Sequence, residues 1–278
     1  MFLLSPAGMS GSNYLRNLIV AAGLCEAPAH PVLRREDWFL HTSDHLKSYV
    51  SSLAQHWTAA SDGSRSNEIA ATGAEILHDF GEALARRAAT GNVKPTILKT
   101  PSTENLENLE IMFPGAKTIF LIRDGRDTCF SRIKAGYDNS LEDSARLWAT
   151  RARHMLHHRD RTLKRGTAPP PLWIRYEDAV RTPDAELNRI AAYLERQRDP
   201  SVDVNADSLP VFGSSEFGHG ETGDFTKVTV ARPGDFNPVG RWRSWPRVTR
   251  ELFHGIAGDV LIELGYVADG SWCTLPDG

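Results

Sequence analysis

The chain has 278 residues, with 32 Lys+Arg against 35 Asp+Glu, a formal net charge of -3, and 41% hydrophobic and 24% charged residues. That is the make-up of a globular protein long enough to bury a large core; its near-neutral charge argues against bulk nucleic-acid binding but leaves room for a local anion pocket. The longest apolar run, Leu18 to Cys25, is far shorter than the roughly 20 residues of a membrane helix, and three scattered cysteines without a leader segment fit a reducing cytoplasm better than a disulfide or zinc scaffold.

In chain order, Phe2 to Leu4 reads as a short buried strand, followed by a Pro/Gly/Ser turn. A helix starts at about Ser12, with Leu15, Leu18 and Ile19 on one face. Helices are expected over Asp44–Ala60 and Asn67–Ala88, the second carrying Ile69, Ile76, Leu77, Phe80 and Leu84, with a Ser/Gly-rich loop between them. Thr96-Ile97-Leu98 is an apolar run ending at Lys99-Thr100-Pro101. Glu104 to Phe113 reads as a helix, Lys117 to Ile122 as a buried strand, and Ser140 to Leu163 as a long helix. A strand over Leu172–Arg175 and a helix over Asp184–Leu194 follow. From Arg198 to Gly240 periodicity fails, as in functional or disordered loops, and a helix over about Pro246–Leu264 closes the chain. Alternating strands and helices imply right-handed crossovers. The expected fold is one α/β domain over 1–278, a mainly parallel sheet with helices on both faces.

Two segments suit an anion. The turn Ser5-Pro-Ala-Gly-Met-Ser-Gly-Ser-Asn13 joins the first strand to the first helix, where backbone N–H groups and the helix dipole favour phosphate. Ser10, Ser12 and Asn13 can add side-chain donors; the plainer reading is a capped helix after a glycine turn. Gly11-Ser12 lacks the lysine of a Gly-Lys-Ser/Thr loop, which counts against ATP or GTP hydrolysis. The second segment is Arg123-Asp-Gly-Arg-Asp-Thr-Cys-Phe-Ser131, opening at a strand's C-terminal end, where open α/β sheets bind ligands. If a helix starts near Arg126, Ser131 can share an anion with the planar donor fork of Arg123.

With these residues in place, the chain resembles the sulfotransferases that use 3′-phosphoadenosine 5′-phosphosulfate (PAPS). Ser10-Gly11-Ser12 matches that family's Ser-Gly-Thr loop, and Arg123 with Ser131 its Arg-x7-Ser spacing. Phe113-Pro-Gly-Ala-Lys117, Lys99-Thr100-Pro101 and Tyr176-Glu177-Asp178 match further segments, as does Val239-Gly-Arg-Trp-Arg243 followed by a helix ending Glu-Leu-Gly-Tyr266. The matches run in family order along nearly the whole chain. The resemblance implies a P-loop-NTPase-like sulfotransferase fold. It implies that Ser10 to Asn13 hold the 5′-phosphosulfate, that Arg123, Ser131 and Gly240-Arg241 hold the 3′-phosphate, and that Tyr176 faces the adenine. One position departs: Met9 stands where many members carry Lys or Arg, leaving Lys99, and less favourably Arg16, to balance charge at the bridging oxygen.

Sulfuryl transfer asks a protein for positioning, a cation at the leaving oxygen and a base for the acceptor's proton; it needs no metal. Arg34-Arg35-Glu36-Asp37-Trp38-Phe39 resembles the Lys-Glu-x-x-Phe-Phe segment of carbohydrate sulfotransferases, which implies Glu36 as base and Arg35 as its assistant. A solvated charged run is the bland alternative, and Asp37, His41 and His45 are rival bases. His154 and His158 read as a solvated helix face rather than a metal pair, and Trp242 and Trp245 as packing residues. The arginines at 241, 243, 247 and 250 fit one anion or a coated helix better than a nucleic acid. Gly213-Ser214-Ser215 borders the adenine or is a simple turn. The expected acceptor is the hydroxyl, less readily the amine, of a small molecule or carbohydrate, in a pocket shaped by about 37–90 and 198–240, with no nucleic-acid or membrane partner. A P-loop-like nucleotide phosphotransferase and a non-catalytic binder of PAPS or its product PAP stand as alternatives.

Overall fold

The computed structural model describes residues 1–59, 66–166, 170–199, 201–202, 204–212, 214, 229–230 and 236–274. Four strands, β1 (Phe2–Leu4), β2 (Leu98–Thr100), β3 (Thr118–Ile122) and β4 (Leu172–Arg175), pair in the order β2-β1-β3-β4, all parallel. A parallel sheet needs cover on both faces, and these strands are apolar in both directions. Leu3, Ile119, Leu121 and Ile174 pack with Leu15, Leu18 and Ile19 of α1 (Ser12–Ala21) and with Leu187 and Ile190 of α8 (Pro183–Tyr193). Phe2, Leu4 and Phe120 point to the opposite face. There they meet Leu77 of α3 (Ser66–Ala88), Met112 of α4 (Leu109–Met112) and Met155 of α6 (Leu141–Arg165). A third cluster joins α5 (Gly125–Lys134) and α6 to α9 (Arg247–Glu263) through Cys129, Trp148, Phe253 and Val260. At about 1.5–3 kcal/mol for each fully buried aliphatic or aromatic side chain, these layers hold the sheet rigid.

The chain leaves β1 toward β2 but leaves β3 toward β4. The crevice beyond the C-terminal ends of β1 and β3 is therefore the topological switch point, where open α/β sheets bind ligands. The 5–11 turn follows β1, Arg123 follows β3, and Tyr176 follows β4. All three arrive at the same sheet edge.

Of the apolar run 96–98 only Leu98 belongs to β2, whose Lys99 pairs with Leu3, while Thr96 makes an isolated bridge with Glu26. One expected helix breaks up. Glu104 to Phe113 is not one helix. Asn105 is left-handed at φ 60, so a 3-10 turn at Leu106–Asn108 precedes the single turn of α4. The sequence also held an unread helix, α7 (Tyr176–Arg181), too short for apolar periodicity to show. α2 (Ser43–Ala59) and the other helices fall within a residue or two of expectation. Within the long irregular stretch, the described residues include a 3-10 turn at Ala206–Ser208 and an antiparallel pair, β5 (Val211–Phe212) with β6 (Thr229–Val230). Of the loop expected at 60–66, residues 60–65 lie outside the described residues, as do Gly213 and Ser215, and Ser66 opens α3.

Candidate active site

The turn after β1 is braced from within. Ser5 donates its N–H to the Thr100 carbonyl at 3.3 Å. Ser10, fully buried, donates its hydroxyl to the Ala7 carbonyl at 2.8 Å. Met9 and Gly11 are left-handed, at φ 69 and 85, the geometry that turns successive N–H groups to one side. Gly11 is the N-cap of α1 and offers no side chain to close its first turn. Gly11, Ser12, Asn13 and Tyr14 line a cleft of about 430 Å³, within the usual range for a small-molecule site.

Arg123 and Ser131 line the same cleft. Arg123 is buried and donates to the carbonyls of Met9 at 2.5 Å and Pro238 at 2.6 Å, with its guanidinium 5.0 Å from the Tyr176 ring centroid. Its Nε has no hydrogen-bond partner among the described residues, and neither has the Ser131 hydroxyl, 1% exposed on α5. Two unsatisfied buried donors lining one cleft make a site for an acceptor-rich anion. Tyr176 packs its ring against Gly11 so closely that an added Cβ would sit 2.2 Å from it.

On the β2 side, the Lys99 ammonium lies 3.1 Å from Glu36 Oε1. Lys99 is 2% exposed. Burial lowers its pKa from the ordinary lysine value, and the Glu36 charge opposes that shift. Glu36 and Arg35 both line the cleft. Of the four carboxylate and histidine bases proposed from sequence, Glu36 alone does. Asp37 is buried, accepting the Phe39 N–H at 3.0 Å, and burial raises its pKa. His41 turns to the Ser102 hydroxyl at 2.9 Å and Glu104 at 3.3 Å, and His45 is exposed on α2. Arg16 is spent on the Arg34 and Arg35 carbonyls and is absent from the cleft wall.

The Gly240-Arg241 pair divides. Arg241 lines the cleft, whereas the Gly240 N–H is taken by Asp127 Oδ2 at 2.7 Å, and Asp127 Oδ1 accepts the Trp242 N–H at 3.2 Å. Ser10 likewise serves the loop rather than the cleft. Sequence reading missed the braces behind Arg123. Asp127, its pKa raised by burial, ties the 240–242 turn to α5. Asp124 caps α5 through the Arg126 N–H at 2.9 Å and pairs with the Arg126 guanidinium, which lies 3.7 Å from the Trp242 ring centroid. Glu177, also raised by burial, accepts the Asp124 N–H at 2.9 Å and the Tyr266 hydroxyl at 3.0 Å. Asp124 and Asp127 stand between Arg123 and Ser131 in the quoted motif, which was the available signal.

The loop from Arg198 to Gly240 contributes Leu209, Val211, Ser214 and Phe236 to the wall, whereas among the described residues of 37–90 only Trp38 reaches it. Among the described residues, four lining cations (Arg35, Lys99, Arg123, Arg241) face one lining carboxylate, Glu36, an electrostatic bias toward anions. Trp245 packs on Phe253, Trp242 on Trp272, and His158 on Phe120. Among the described residues no cluster of three or more His, Cys, Asp or Glu could hold a metal, and no helix is long and apolar enough to cross a membrane.

A sulfotransferase family model matches residues 7–200. The sulfotransferase domain of the Synechococcus PCC 7002 olefin synthase superposes with a TM-score of 0.51 at 22% identity, covering 92% of this chain and 94% of that one. A sulfotransferase domain from the curacin biosynthetic pathway superposes with a TM-score of 0.50 at 16% identity, covering 94% and 96%. No curated protein matches by sequence. The two superpositions share the parallel-sheet fold, and the family match covers well over half of the chain, from within the anion turn to beyond Tyr176: the chain belongs to the sulfotransferase family.

Proposed function

We propose that this protein transfers a sulfuryl group from PAPS to a hydroxyl, less readily an amine, of a small-molecule or carbohydrate acceptor. The observation that carries the proposal is one cleft holding two sets of groups. One is the pair of unsatisfied buried donors on Arg123 and Ser131; the other is the Glu36–Lys99 pair beside the open N-terminus of α1. The first set suits a phosphate, the second a proton transfer next to developing negative charge. When bound, PAPS supplies a sulfuryl group already activated by its bond to phosphate.

The chain's residues divide the work. Ser12, Asn13 and the first-turn N–H groups of α1 orient the 5′ end. Arg123, Ser131 and Arg241 neutralise the 3′-phosphate, and the Tyr176 ring stands where the adenine docks. Lys99 takes the place of the missing cation at Met9 and balances charge on the departing bridging oxygen. Glu36, with Oε1 held by Lys99, accepts the acceptor's proton as the new oxygen–sulfur bond forms and the bridging bond breaks; Arg35 assists at the rim. Ser10 and Gly240 serve as braces of the backbone around the site. The whole of 1–278 works as one domain, in the cytoplasm.

The reading is tested by calorimetric titration with adenosine 3′,5′-bisphosphate (PAP), with ATP as control. Removing a hydrogen-bonded cation from a phosphate costs about 1.5–3 kcal/mol, so Arg123→Ala should bind PAP between about tenfold and a hundredfold more weakly. ATP should bind poorly to both proteins. A wild-type chain that ignores PAP overturns the proposal; tight PAP binding without transfer to any acceptor favours the non-catalytic reading, which Met9 motivates.

A further inference from the structure

Trp38 holds an unusual position. Its φ is 55, left-handed for a bulky aromatic residue, and its indole is 37% exposed on the cleft wall two residues from Glu36. Such a conformation is costly for a bulky side chain and persists only where the surroundings over-determine it. Here they do. On the N-terminal side the Asp37 N–H donates to the Lys99 carbonyl at 3.2 Å, and on the C-terminal side Asp37 Oδ1 accepts the Phe39 N–H. The Trp38 carbonyl accepts both the Thr42 N–H at 3.1 Å and the Thr42 hydroxyl at 2.9 Å. The His41 ring stands edge-on to the indole at 5.0 Å. Val32, 70% exposed, lines the cleft from the same segment. A strained backbone, clamped on both sides, thus displays an apolar ring beside the Glu36–Lys99 pair.

We infer that Trp38 is the stacking platform for the acceptor, and that the acceptor carries its hydroxyl on a flat, largely apolar ring rather than on an open chain. The inference rests on the sulfotransferase reading and names the substrate class of that same site. Stacking on an indole gives an offset or edge-on ring pair worth up to about tenfold in affinity. It also places a ring hydroxyl at a set distance from Glu36.

The test measures PAP release from PAPS with 4-nitrophenol and with 1-hexanol, for the wild type, Trp38→Phe, Trp38→Leu and Trp38→Gly. PAP binding to each is measured by calorimetry. The glycine variant relieves the left-handed strain, so a lost effect there is not a folding defect. Expected are a KM for 4-nitrophenol raised about tenfold in Trp38→Leu and Trp38→Gly, kept within about threefold in Trp38→Phe, with kcat and PAP affinity little changed. Hexanol should be the poorer acceptor, and its KM should not respond. An unchanged 4-nitrophenol KM, an equal shift for hexanol, or PAP binding without turnover of the ring acceptor overturns the inference. Failure of the wild type to bind PAP overturns the sulfotransferase reading instead.

Discussion

Replacing Gly11 with alanine tests the architecture of the anion turn at its tightest point. Gly11 is left-handed at φ 85, and a Cβ there would lie 2.2 Å from both Cδ2 and Cε2 of Tyr176. Ordinary contact begins near 3.4 Å, so the ring must retreat by more than an ångström. It has little room: Tyr176 is 6% exposed, with the Arg123 guanidinium 5.0 Å from its centroid and the Tyr14 ring edge-on at 6.0 Å. The left-handed backbone costs an alanine about 1 kcal/mol and the overpacking about 2 kcal/mol more. In a chain of this size the sum of about 3 kcal/mol lowers the melting temperature by about 6–12 °C. Gly115→Ala is the internal control. Its φ is 73, but nothing lies within 4 Å of its absent Cβ, so it carries the backbone cost alone. Differential scanning calorimetry of both variants, with PAP titration of each, separates the two contributions. Gly11→Ala should also weaken PAP binding, because the displaced ring moves Arg123, whereas Gly115→Ala should not. Equal melting shifts for the two variants, or unchanged PAP affinity in Gly11→Ala, would refute the close packing of turn, ring and arginine.

Two further outcomes follow from the Glu36–Lys99 pair. Glu36→Gln should lower transfer by about 10²- to 10⁴-fold, the span of a general base, while PAP affinity by calorimetry stays within about twofold; retained transfer would move the base elsewhere. Lys99 gives a pH signature. Its folded pKa is lowered by burial, so between that value and the ordinary lysine value the unfolded chain binds the proton and the folded chain releases it, and stability rises with pH across this window. Lys99→Met should therefore melt higher than the wild type at neutral pH and transfer poorly, with the gap in melting temperature closing as the pH approaches the lysine range. A gap that is absent or independent of pH would show that the ammonium is not strained by burial.

Much of this site could be read along the chain because its parts are local. The glycine turn, the strand–arginine junction and the Arg123–Ser131 spacing each lie within about ten residues, and backbone geometry ties them to strand ends whatever the rest of the fold does. Strands β1, β3 and β4 declared themselves by short apolar runs, and the long helices by their period. What stayed hidden was either too short to have a period, as with α7, or interrupted by one left-handed residue, as with Asn105 before α4.

Residue chemistry alone left four candidate bases open, and only the family resemblance favoured Glu36. Glu36, Asp37, His41 and His45 are chemically eligible and close in sequence, yet only Glu36 reaches the cleft, because Lys99 arrives from β2, 63 residues away. The same holds for the braces. Asp127 meets Gly240 across 113 residues, and Glu177 meets Tyr266 across 89. Local spacing determines which groups the backbone presents together, so the glycine turn and the Arg123–Ser131 segment were legible. Long-range packing determines which side chains are drawn into water-poor contact, so the Glu36–Lys99 contact and the carboxylate braces emerged only once the sheet had brought distant strands side by side.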